Sequence, residues 1–348
     1  MKSTVKELSE TEYRNKITYV SYVWALLVIM LHAYNIDTYA PIVSGGKEDS
    51  ILWIAAQILE NTCHSLGEIA VPGFFFLSGY LFYQNFEPQK LVQKWKSRLK
   101  TYVIPYLIWT ILPYFFYVIV THSPLHQYMN MDTVELSIQR MLLAVLTSEF
   151  NVLWFLKYLI VYTACAPVFY ILLKNRKVPV GLLIVIILIA LQGQGKLGVI
   201  NIFYVLGCYI GLNHKKILHY HYEMIDRISL IVLAFCVVGI ALVGRADCLS
   251  YLGIGIVLVL FWNVANYLPL LKTPKWYVSI SFFIYCTHSM ILESIEKVLF
   301  AMGRDIVWMP LFDYIVAPVC TLAIIYIAAY VLKTYCQPVW KVVTGERG

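Results

Sequence analysis

The chain has 348 residues, of which 60% are hydrophobic and only 14% charged, and its mean hydropathy is +0.70. Soluble domains carry about 25% charged residues, so this chain lacks the polar surface to stay dissolved as a monomer and is read as a polytopic membrane protein in one domain spanning 1–348. The net charge of +7 would suit nucleic acid in a soluble protein. Here the basic residues fall between apolar runs, no basic stripe with interleaved aromatics stands out, and orientation in the bilayer explains the excess.

Residues 1–16 carry Glu7, Glu10 and Glu12, unlike the basic leader of a secretory signal, so the apolar run after them is read as a retained first span. A spanning helix needs about 17–25 mostly apolar residues. Ten runs qualify or nearly so: 17–34, 68–84, 101–121, 153–173, 178–193, 197–212, 228–244, 250–268, 277–299 and 312–332. The segment 135–149 is short and carries Glu135, Gln139, Arg140 and Glu149. If it does not cross, twenty Lys and Arg fall in one set of loops and five in the alternate set. By the positive-inside rule the rich set is cytoplasmic. The expected fold is an all-α bundle of about ten transmembrane helices with both termini cytoplasmic. It has a cytoplasmic tail at 1–16, outer loops at 35–67 and 122–152, and a short interfacial helix at 51–60. The eight cysteines form no C-x-x-C and no Cys/His spacing suited to zinc, so no metal is expected. Cys63 and Cys248 fall in outer loops and could pair.

Ionisable groups inside spans are costly and usually functional. His32 ends the first span, where a neutral imidazole can take a proton from a hydroxyl. Glu68, Lys157, Glu293 and Glu296 lie at similar outer depth on other spans, and His288 lies near the middle of the ninth. Lys94, Lys96, Arg98 and Lys100 precede the third span on the cytoplasmic side. They suit either topology signalling with anionic lipid or a phosphate-rich cytosolic ligand.

Five segments in order then resemble the acyltransferase 3 family of integral membrane acyltransferases. They are VWALLVIMLHAY with His32, VPGFFFLSGYLFY from Val71 to Tyr83, RLKTYVIPYLIW from Arg98, LWFLKYLIVY from Leu153, and ISFFIYCTHSM ending past His288. The resemblance departs at Ser21, where the family has an arginine eleven residues before the histidine, roughly 16 Å lower on the same helical stripe. It departs also at Tyr158, which replaces an acid, and at Thr101, which replaces a second arginine.

The resemblance implies transfer of an acyl group, acetyl in the family's O-acetyltransferases, from acyl-CoA on the cytoplasmic side to a hydroxyl of a cell-surface carbohydrate. It implies a multi-pass protein of the cytoplasmic (inner) membrane. In that reading His32 is the base, Glu68 or another acid orients it, and Lys157 or Tyr158 stabilises the oxyanion. Arg98 and Lys100 hold the donor phosphates, and Trp154, Tyr158, Ser78 and His288 line the substrate site. Direct transfer and an acyl-histidine intermediate both fit. The alternatives are a transporter or flippase for a glycan or lipid-linked sugar, and a non-catalytic member of the family.

Overall fold

The computed structural model describes residues 5–43, 50–124, 126, 132–174, 196–243, 251–267 and 273–346. Ser9 sets the start of the first long helix. Its hydroxyl accepts from Glu12 N–H at 3.2 Å, and the Glu12 carboxylate accepts from Ser9 N–H at 2.8 Å, which satisfies two donors that a helix start leaves open. Helix α1 (Glu10–His32) then runs for 23 residues, about 35 Å, enough to cross a hydrocarbon core of about 30 Å. A short strand before it, β1 (Val5–Glu7), pairs antiparallel with β2 (Tyr220–Tyr222), placing Lys6 opposite His221.

Within 35–67, expected as an outer loop, the described residues include two helices. Helix α2 (Ile36–Val43) begins where the Glu60 carboxylate accepts from the N–H groups of Asn35 and Ile36 at 3.1 and 3.3 Å. The carboxylate thereby meets the positive end of the helix dipole. Helix α3 (Ile51–Gly67) extends well past the expected 51–60 and passes through a two-residue turn into α4 (Ala70–Tyr83). The joined run of 33 residues is longer than a bilayer requires.

Helix α5 (Leu91–Arg98) enters α6 (Ile104–Thr121) through a widened π-turn at Leu99–Val103. Pro105 accounts for the widening. It offers no N–H to the carbonyl four residues back and its ring crowds that carbonyl. The Ile104 N–H reaches five residues back, to Leu99 O. Helix α7 (Ile138–Thr147) has ten residues, about 15 Å, too short to cross, in agreement with the reading of 135–149. Ser137 caps its start, accepting from Arg140 N–H at 3.2 Å.

The expected span 153–173 is broken. Helices α8 (Trp154–Ala164) and α9 (Ala166–Leu173) meet at 65°, because Pro167 cannot continue the N–H ladder. Carbonyls at the break find side-chain donors: Trp95 Nε1 bonds Thr163 O and Tyr83 OH bonds Ala166 O, each at 2.8 Å. Then follow α10 (Lys196–Asn213), α11 (Glu223–Val243), α12 (Tyr251–Val264), α13 (Ser281–Gly303), α14 (Met309–Tyr335) and α15 (Gln337–Thr344). The expected span 178–193 and Cys248 lie outside the described residues.

Helices α4 and α10 approach backbone to backbone. A methyl group on Gly207 would overlap the Phe76 carbonyl, and one on Gly211 that of Tyr80. This is the small-xxx-small contact of membrane helices. Elsewhere the main buried cluster joins α1, α4, α6, α8, α13 and α14 through Ile29, Phe75, Trp109, Leu156, Ile284 and Tyr314. Helix α15 packs against α6 and α13: Trp109 Nε1 donates to Val343 O at 2.9 Å, and Trp340 packs 5.1 Å from Phe283.

Among the described residues, five helices are long and apolar enough to cross a membrane, or six if the bent α8–α9 pair is one span. Helix α13 has the length, with 23 residues, but Glu293, Glu296 and Lys297 crowd its second half. The chain is thus an all-α, multi-pass membrane protein. A count of ten rests on the loop charges and the shorter apolar runs.

Candidate active site

Two histidines meet at one end of the bundle. His32 closes α1 with its side chain exposed, and His288 on α13 is completely buried. Their ring centroids are 5.3 Å apart. His288 Nδ1 lies 2.8 Å from Tyr285 O and 3.2 Å from Ile284 O. A carbonyl only accepts, so Nδ1 carries the hydrogen and Nε2 is left with its lone pair. That Nε2 is buried with no hydrogen-bond partner among the described residues.

The loop before α8 fixes α13 on both sides of His288. Asn151 Nδ2 donates to Trp109 O at 2.9 Å and to Cys286 O at 3.1 Å, and its Oδ1 accepts from Ser289 Oγ at 2.9 Å. Tyr285 OH donates to Val152 O at 2.8 Å. Asn151 was not singled out from the sequence. The available signal was an amide flanked by Phe150 and Val152, directly before the tryptophan segment.

A cavity of about 290 Å³ leads toward this pair from the opposite, basic end. Ser21, Arg98 and Ser281 line one part of it, and Val28, Val71 and Tyr285 line the other. His32 and His288 follow Val28 and Tyr285 by four and three residues, about one helical turn. The same cavity takes in Ser78 and Tyr102. The Arg98 guanidinium lies over Tyr102 at 4.8 Å and Phe82 at 5.6 Å, a position that favours a cation on aromatic faces.

The departure at Ser21 therefore lies in the same cavity to which Arg98 brings a charge. Arg14 is bonded to Glu10 at 3.0 Å instead. Lys16 is buried, donating to Asn266 Oδ1 at 2.7 Å. Neither is among the residues lining the cavity. Lys100 is exposed on the π-turn, and Lys94 donates to Phe82 O at 2.6 Å.

The other expected residues have different surroundings. Glu68 is half-buried, 3.7 Å from His64 Nε2 one turn earlier. Lys157 donates to Leu146 O at 3.1 Å and Thr147 O at 3.4 Å. It thus caps α7, where its charge suits the negative end of the helix dipole. Tyr158 lies 6.4 Å from Trp154 and 6.1 Å from Tyr162, ring to ring. Trp154 also packs 6.3 Å from Phe75 and lines a separate cleft at the histidine end.

Residues 16–330, nearly the whole chain, match the family described as an acyltransferase domain. The chain belongs to the acyltransferase 3 family. No curated protein and no solved structure matches it. The family makes it a membrane acyltransferase, and within that frame the paired histidines and the cavity below them are the candidate catalytic apparatus.

Proposed function

We propose that this acyltransferase 3 protein moves an acyl group, acetyl in the simplest case, from a coenzyme A thioester at the basic end to a carbohydrate hydroxyl at the histidine end. The loop charges support placing the basic end in the cytoplasm and the protein in the cytoplasmic membrane. The observation that carries the reading is the cavity itself, with Arg98 at one end and the histidines one turn beyond the other.

In this scheme Arg98 bonds a donor phosphate, which a planar guanidinium does more strongly than an ammonium. The thioester arm lies along Val28, Val71 and Leu156. Ser78 and Ser21 offer hydroxyls to the polar groups of that arm. The acceptor oxygen attacks the thioester carbonyl carbon and the C–S bond breaks. His32 takes the hydroxyl proton and returns it to the departing sulfur, so ester and free thiol form with no net proton change. His288 holds its Nε2 lone pair beside His32 and steadies the imidazolium that forms. A histidine acting this way contributes about 10²–10⁴-fold. Purified protein supplied with acetyl-labelled coenzyme A tests the reading: it consumes the thioester, and His32→Ala does not. Correctly folded wild-type protein that leaves the thioester intact would remove it.

A further inference from the structure

The cleft at the histidine end has a volume of about 580 Å³ and is lined by Tyr117, Phe150, Asn151, Trp154, Ser289 and Glu293, with Lys297 at its edge. It shares no lining residue with the Arg98 cavity. We infer that this cleft is a polyol-binding site that takes the sugar acceptor, an assignment that rests on the proposed acyl transfer and adds its second substrate site.

The first argument is the mixture of materials. Tyr117 and Phe150 stack at 5.2 Å and 29°, and Trp154 adds a third aromatic side chain. The stacked pair forms the apolar wall, and the half-buried Trp154 is the flat face that suits the C–H face of a sugar ring. Among them Glu293 accepts from Tyr117 OH at 3.1 Å with one oxygen and from Lys297 at 2.7 Å with the other. Each carboxylate oxygen has a second lone pair, so Glu293 can still accept from ligand hydroxyls. Ser289 spends its hydrogen on Asn151 Oδ1, which leaves its lone pairs as acceptors.

Charge excludes the other ligand classes. The acids of the cleft are paired: Glu293 with Lys297, and Glu149 with Arg140 at 2.5 Å. A phosphate would face these carboxylates, and an alkyl chain would strip water from an ion pair at a cost. A neutral ligand rich in hydroxyls meets neither penalty, and a few convergent polar groups on an apolar wall are the usual make-up of a small-molecule site.

Position supplies the link to chemistry. Ser289 is the residue after His288, and the same Asn151 amide bonds both Ser289 and the Cys286 carbonyl. A ligand touching Ser289 therefore lies one residue from the buried imidazole.

Saturation-transfer NMR on the full-length protein in nanodiscs tests the site, with methyl α-D-glucopyranoside, methyl β-D-galactopyranoside and methyl α-D-mannopyranoside as probes. Wild type is expected to transfer saturation to at least one of them. Glu293→Gln, which keeps the shape of the side chain, should weaken binding by about tenfold or more, as expected for losing a hydrogen bond to a charged group. Trp154→Ala should also lose the signal, at an unchanged helical spectrum. No transfer above empty nanodiscs from any probe, or equal signals from wild type and both variants, would overturn the assignment. Acetyl-coenzyme A consumption by the same nanodiscs separates the two readings. Consumption without a sugar signal removes the cleft assignment alone, and a sugar signal without consumption removes the proposed reaction alone.

Discussion

The Arg98 cavity is walled by Val28, Val71, Phe155, Leu156 and Leu159, and among its lining residues Arg98 alone is charged. The cleft beyond the histidines alternates Tyr117, Phe150 and Trp154 with Glu149, Ser289, Glu293 and Lys297. One is the smaller cavity, mostly apolar, with a single cation and the hydroxyls of Ser21, Ser78 and Ser281 on its wall. The other is a broad polar recess whose charges are paired. The contrast teaches which substrate each is suited to: an anionic head on a slender arm for the first, a neutral hydroxyl-rich molecule for the second. His288 lies one helical turn from Tyr285 of the first and next in the chain to Ser289 of the second.

The largest expected effect lies at that junction. His32→Ala should lower kcat for acyl transfer by about 10²–10⁴-fold with folded protein unchanged, as read by steady-state kinetics and circular dichroism. Retained kcat would break the comparison, because the two chambers would then lack a shared catalyst.

Next comes the mouth of the passage. Arg98→Glu should raise the KM for acyl-coenzyme A by about 10–100-fold, the loss expected for a charge-assisted hydrogen bond of about 1.5–3 kcal/mol, while the acceptor KM stays within about twofold. Adding Ser21→Arg to Arg98→Ala sharpens this, since both positions line one cavity. The double variant should recover part of the donor affinity that Arg98→Ala loses. An acceptor KM that moves with the donor KM would show that the chambers are not separate in function.

A smaller effect is expected in the frame that holds the passage open. Gly207→Leu places a side chain against the Phe76 carbonyl and should cost about 1–3 kcal/mol by overpacking. A lowered Tm in detergent would be the sign. Kinetic loss should follow unfolding, with no selective change in either KM.

The smallest concerns the rim of the cleft. Arg140 donates to both Glu149 oxygens at 2.6 and 2.5 Å, and these hydrogen bonds hold the Glu149 carboxyl below its ordinary pKa. A carboxyl lowered in the folded state adds stability above its ordinary titration range. That stability is lost as pH falls through the lowered value. The pair is partly exposed, with side chains at 24% and 41%, so only a few tenths of a kcal/mol are expected. Limited proteolysis near α7 should quicken slightly on acidification, and Glu149→Gln should flatten that dependence.

Much of this arrangement is legible in the sequence. A short helix within 135–149 follows from its charges and from the loop asymmetry, and it is seen at Ile138–Thr147; His32 and His288 are singled out by the segments around them, and the fold brings their rings together. Other features depend on which backbone groups a fold leaves unpaired. Lys157 reads as an intramembrane cation in the sequence, and only the fold shows that α7 offers it the carbonyls of Leu146 and Thr147. Glu60 falls at the end of the expected 51–60 helix, and only the fold shows that its carboxylate caps the start of α2. Pro167 separates α8 from α9, but the apolar residues on both sides of it make 153–173 read as one span. The neighbourhood of Ser21 and Arg98 joins residues 77 apart in the chain, so no local pattern reports it. The same holds for Tyr117 and Glu293.

The separation of the two chambers is tested most directly by sidedness. Proteoliposomes sorted to a single orientation can be given acetyl-labelled coenzyme A on one face at a time. Turnover should occur when the thioester faces the basic end, which holds the amino terminus of α1, and should fall to background when it is confined to the histidine end. Equal turnover from both faces, or turnover only from the histidine end, would contradict the account.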